Sequence, residues 1–89
     1  MRAVVTVIGR DMVGIMAGVS NICAESHVNI VEISQSILQD MFCMIMMVDI
    51  SNSALPFNEL REKLEAYGNE SGLSVHVMHE DIFNSMHRI

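Results

Sequence analysis

The sequence predicts an α+β two-layer sandwich of order β-α-β-β-α-β, closed by a short C-terminal helical tail. Two observations predict it. Along the chain the apolar residues switch repeatedly between strand patterning, as continuous or alternating runs, and the three- and four-residue steps of amphipathic helices. With 89 residues, one proline and no serine- or glycine-rich run, the chain has room for one domain and no linker. A chain of this size buries only about 60–65% of its unfolded surface, so a partner subunit is expected to add stability.

Each element follows from its own pattern. Ala3 to Ile8 is a β-branched run that suits a central strand. Met12, Ile15, Met16, Val19, Ile22 and Cys23 recur at helical spacing, and Asp11 is a natural N-cap. His27 to Asp40 returns to period two, with Val31, Ile33 and Ile37 on one side and Glu32, Ser34 and Ser36 on the other. Gln39-Asp40 supplies a hairpin turn. In the next strand, Met41 to Ile50, alternation vanishes, so both of its faces are expected to be covered.

Pro56 fits the first turn of the second helix, where its missing N–H has no intrahelical partner. Phe57, Leu60, Leu64 and Tyr67 form the buried stripe of that helix. Glu59 with Lys63 and Arg61 with Glu65 are i,i+4 pairs, and Gly72 ends the helix. Leu73, Val75 and Val77 then alternate with Ser74, His76 and Met78 as a last strand. The first 80 residues thus form the domain. Residues 81–89 form the tail, with Asp81 as cap and Ile82, Phe83, Met86 and Ile89 on one side. Two turns of helix do not persist alone in water, so the tail is expected to dock on the sheet or on a dimer partner.

Composition excludes several classes. The formal net charge of −6 and the scatter of Arg2, Arg10, Arg61, Lys63 and Arg88 oppose nucleic-acid binding. No apolar run approaches the ~20 residues of a membrane span. Cys23 and Cys43 lack Cys-x-x-Cys spacing and lie in apolar surroundings, which predicts two buried, reduced thiols in a cytoplasmic protein. His76 and His79 point to opposite faces of a strand, and Cys43 among methionines has no partner ligand; no metal and no cofactor are expected. Nucleophilic and phosphate-loop signatures are absent from the sequence, so no catalytic residue is assigned.

The most informative stretch joins the first strand to the first helix: Gly9-Arg10-Asp11-Met12-Val13-Gly14-Ile15. Unpaired amides of a first helical turn, with the positive end of the helix dipole, favour a carboxylate or phosphate there. Asp11-Met12-Val13-Gly14-Ile15, followed a helix later by Val28-Asn29-Ile30, resembles the ACT domain, a ferredoxin-like module that senses amino acids and other small metabolites. The resemblance runs from Arg2 to about Val77. The ending His79-Glu80-Asp81-Ile82-Phe83 with Met86-His87-Arg88 is similar to that of small stand-alone prokaryotic ACT proteins.

This resemblance implies a homodimer or higher oligomer whose ligand lies between the first loop of one protomer and the second strand of another. The residues it assigns are Asp11, Val13, Gly14 and Ile15 on the loop and helix start, with Asn29 and Ile30 at the strand entrance. The implied ligand is a small carboxylate-bearing metabolite, such as an amino acid, with the liganded state passed to a separate protein. Val13 stands where many members carry proline before the loop glycine.

Two rival functions share the topology. An adaptor would use the open sheet face to bind another protein. Acylphosphatases use a loop arginine and a separate asparagine, for which Arg10 and Asn29 are the available residues. Their Gly-x-Val-Gln-Gly-Val loop and following Phe-Arg are missing here. An RNA-binding sheet would need exposed aromatics on strands one and three, where only Phe42 is present.

Overall fold

The computed structural model describes residues 1–10 and 14–86. Its elements are β1 (Arg2–Gly9), α1 (Ile15–Glu25), β2 (Asn29–Leu38), β3 (Met41–Asp49), α2 (Phe57–Ser71), β4 (Ser74–His79) and α3 (Glu80–Met86). The four strands form one antiparallel sheet of order β2-β3-β1-β4. Both long helices lie on one face, and the molecule is correspondingly flat, 35 × 34 × 19 Å.

Strand alternation builds the core. Val5 and Val7 of β1 point beneath the helices, in register with Met46 and Met44 of β3 and Val77 and Val75 of β4. From above, Val19 and Cys23 of α1 and Leu60 and Leu64 of α2 close the layer. The hairpin turn falls at Gln39-Asp40, with Gln39 at φ 59°.

Several local expectations change. Helix α1 begins at Ile15 with Gly14 at the N-cap, so Asp11 is not its cap; Asp11, Met12 and Val13 lie outside the described residues. Pro56 occupies the N-cap of α2 rather than its first turn, and Gly72 closes that helix at φ 73°. The expected i,i+4 pairs of α2 give way to longer reaches. Lys63 Nζ lies 3.7 Å from Glu25 of α1, and Glu65 accepts the Val77 amide at 3.3 Å. Glu65 thereby covers an outward-facing amide of the edge strand β4, a better use of a carboxylate than a solvated ion pair.

Strand β2 contains a β-bulge. Ile30 faces Val48 and Glu32 faces Met47, leaving Val31 as the extra residue. Ile30 therefore replaces Val31 on the helix side together with Ile33, while Glu32, Ser34 and Ser36 face the open side as their period predicts.

On the open side the chain's own tail covers β3 only in part. Strand β3 buries Phe42, Met44, Met46 and Val48 beneath the helices, but Met41 and Ile45 remain 40% and 45% exposed and Cys43 is half-buried. Cys43 is therefore not the fully buried thiol expected, whereas Cys23 is buried. The cause is size: seven residues of α3 span about 10 Å, against about 15 Å across four strands. Helix α3 starts at Glu80, not after an Asp81 cap; His79 Nδ1 accepts the Asp81 amide at 3.0 Å and performs the capping. Arg2 forms an ion pair with Glu80. Phe83 turns toward the sheet, where Val4 is only 1% exposed, while Ile82 and Met86 are 55% and 66% exposed. Ile89 lies outside the described residues. No helix among the described residues is long and apolar enough to cross a membrane.

Candidate functional site

Gly14 holds the corner where the first loop becomes α1. Its φ of 79° and ψ of −6° are left-handed, and open space surrounds the position a Cβ would take. Only backbone strain restricts it to glycine. Its carbonyl accepts the Gly18 amide at 2.8 Å, the first bond of the helix. No side chain among the described residues caps the helix start, and its first turn carries no acidic residue. The first-turn amides keep their capacity for an anion.

Two residues support this corner, Tyr67 from the buried stripe of α2 and Gln35 of β2, which the sequence did not single out. Tyr67 of α2 points its hydroxyl at the Gly14 carbonyl, 3.4 Å away, and lies on Gly18, where a Cβ would overlap the phenol. Gln35 of β2 reaches Met16 of α1, with Nε2 3.7 Å from Sδ. A bulky residue on α2 matched to a glycine on α1 is the signal that would have found Tyr67. Nothing local marks Gln35.

The remaining candidates divide between two places. Ile15 sends its side chain into the core and can offer a ligand only its amide. Asn29 is exposed and Ile30 half-buried at the other end of the protomer, since Asn29 pairs with Asp49 whereas Gly9, just before the loop, pairs with Phe42. The length of α1, 11 residues or about 16 Å, separates them. One chain therefore does not bring Gly14 and Asn29 together. The same separation keeps Arg10 from Asn29, so the acylphosphatase pair does not assemble within a protomer.

Charge also differs between the two ends. Beside Asn29, Asp49 accepts from the Ser51 hydroxyl at 2.6 Å and the Ser51 amide at 2.9 Å. These bonds, helped by the N-terminal ammonium and Arg2, hold its carboxyl below the usual carboxylate range. Burial pushes the Cys23 thiol up, which keeps it protonated. Among the described residues no three His, Cys, Asp or Glu side chains converge as metal ligands would.

An antiparallel sheet of order β2-β3-β1-β4 under two helices defines the ferredoxin-like α+β sandwich, here with a helix start that no described side chain caps at its first strand-to-helix corner. The ACT-domain profile matches residues 2–78, and the chain belongs to the ACT-domain family, a family of regulatory modules. A UPF0237 protein of Methanocaldococcus jannaschii is 53% identical over 88 residues, 99% of this chain and 98% of the relative. Another, from Clostridium perfringens, is 52% identical over 89 residues and covers both chains fully. An ACT domain protein from Streptococcus pneumoniae superposes with a TM-score of 0.81 at 38% identity, covering 93% of each chain. A formyltetrahydrofolate deformylase from Pseudomonas syringae pv. tomato shares the fold, with a TM-score of 0.78 and 23% identity; the match covers 88% of this chain and 27% of that one.

Proposed function

We propose that this ACT-domain protein is a cytoplasmic sensor module that works as a homodimer and binds a small carboxylate-bearing metabolite, an amino acid in the simplest case. Residues 1–80 form the sensing unit and residues 81–89 a partial cover for its sheet. The observation that carries the reading is the opposition of Gly14 and Asn29 on a protomer whose β2 is an uncovered edge strand. Two-fold pairing of β2 with the β2 of a second copy is antiparallel. It brings Asn29 and Ile30 of one copy toward the end of β2 where the other copy's Gln35 meets α1.

In that arrangement the carboxylate of the ligand meets the amides at Gly14 and Ile15, with Asp11 and Val13 on the same loop. Its ammonium meets the Asn29 carboxamide, with the ionised Asp49 close by. A zwitterion satisfies both ends. Because the ligand touches both copies, it favours one dimer arrangement over others, and that difference in affinity is the signal passed to a separate protein.

A thermal-shift screen of the twenty amino acids tests the reading. Binding with a dissociation constant near ~10 µM adds about 2.7 kcal/mol at a hundredfold excess, a displacement of many degrees in a domain this small. Gly14→Val keeps the fold by circular dichroism and abolishes the shift; an undiminished shift puts the site elsewhere. If none of the twenty moves the midpoint, the sensing reading fails. The adaptor reading then gains from the exposed Ile8, Leu38, Met41 and Ile45 on the open face.

A further inference from the structure

A cavity of about 380 Å³ lies on the open side of the sheet, under the edge of α3. Val4, Ile45 and Met47 contribute from β1 and β3, Phe83 from α3, and Glu32 with Ser34 from β2. The volume is that of a small-molecule pocket, and the lining is apolar except along one wall. Regular pairing makes that wall: Glu32 faces Met47 and Ser34 faces Ile45, so both lie on the cavity side with Ile33 between them turned to the helices.

We propose that this cavity is a second binding site, for a small organic cation with an apolar body, such as a primary arylalkylamine. Among the described residues the carboxylate of Glu32 forms no ion pair and no basic side chain lines the cavity. Arg2 is engaged by Glu80 and Lys63 by Glu25. With no described cation set against Glu32, a positively charged ligand is its complement, on a chain whose formal net charge is −6. An ammonium between Glu32 and the Ser34 hydroxyl leaves the apolar body to Val4, Ile45, Met47 and Phe83. An anion of the same shape meets repulsion from Glu32. The charge preference is thus opposite to that of the helix start at Gly14, and the inference stands whether or not that site binds an amino acid.

Two isosteric probes decide it, phenethylamine and 3-phenylpropanoate, titrated into the intact 15N-labelled protein and followed by amide chemical shifts. The amine is expected to perturb Val4, Glu32, Ser34, Ile45 and Met47, and the acid to leave them unmoved. Glu32→Gln, an exposed and nearly isosteric change, should weaken the amine about tenfold or more. Phe83→Ala should weaken it without restoring binding of the acid. Equal binding of both probes, an unaffected Glu32→Gln variant, or silence from both probes overturns the proposal. So do perturbations that follow protein rather than amine concentration, since a second copy would then occupy the cavity.

Discussion

Ser26 ends α1 with 2% exposure and a hydroxyl that meets no partner among the described residues, although its backbone carbonyl accepts the Ala54 amide at 2.8 Å. A buried hydroxyl without a hydrogen bond retains its full desolvation cost, so Ser26→Ala is expected to leave stability unchanged or raise it by about 1 kcal/mol. A urea denaturation showing clear destabilisation would mean that the hydroxyl has a partner. At Asp49 the sign runs the other way. Its folded carboxyl titrates below the unfolded value of about 4, so its stabilising effect is complete above that pH and is lost as acidification passes through the lower folded value. Ser51→Ala removes the leading hydrogen bond, that of the hydroxyl, and leaves the bond from the Ser51 backbone amide. The Asp49 midpoint in a carboxyl-detected NMR titration should then rise part of the way toward the ordinary range; an unmoved midpoint would assign the shift to the Ser51 amide, the N-terminus and Arg2 instead.

At the scale of elements, α1 and α2 end alike and only one ending was legible. Leu73 N–H bonds to the Gly68 carbonyl at 2.8 Å around a left-handed Gly72, and Val28 N–H bonds to the Cys23 carbonyl at 2.8 Å around a left-handed His27. Glycine announces such a C-terminus in sequence, whereas histidine at φ 57° does not, and His27 was accordingly assigned to the following strand. Strand existence and order could be read because each burial face repeats every second residue. The Val31 bulge could not, since one inserted residue changes facing without changing composition. The Gly18–Tyr67 contact was hidden for a related reason, because it joins two helices 49 positions apart in the chain. It makes a sharp prediction. Gly18→Ala should destabilise by about 1–2 kcal/mol, because the new methyl must displace the phenol. In a Tyr67→Ala background the same change should be neutral or stabilising by up to ~1 kcal/mol, through helix propensity alone. Additive effects in that double-mutant cycle would show that the phenol is not held on Gly18.

For the whole molecule, half of the proposed amino-acid site was legible and its completion was not. A glycine-bearing strand-to-helix turn is a local signal, but the distance from Gly14 to Asn29 exists only once the sheet is built. Two properties of that sheet bear on assembly. Its β4 edge is covered in part by Glu65, while β2 is a ten-residue edge without lysine or proline, carrying Val31 and Ile37 at 49% and 61% exposure. A long edge whose one charged residue is Glu32, turned to the open face, leaves its backbone free to pair with another strand, and two-fold pairing sets each copy's Val31 near the other's Ile37 side of the seam. Replacing both with lysine therefore places like charges along the same seam from each copy. Light scattering should show the unaltered protein at twice the chain mass and Val31→Lys/Ile37→Lys at the mass of one chain, with the amino-acid response lost as well. Ile82→Lys, on the exposed side of α3 and away from β2, should keep the dimer. If the Ile82 variant dissociates and the β2 variant does not, the copies meet through the open face, and the sensing site must be rebuilt on a different seam.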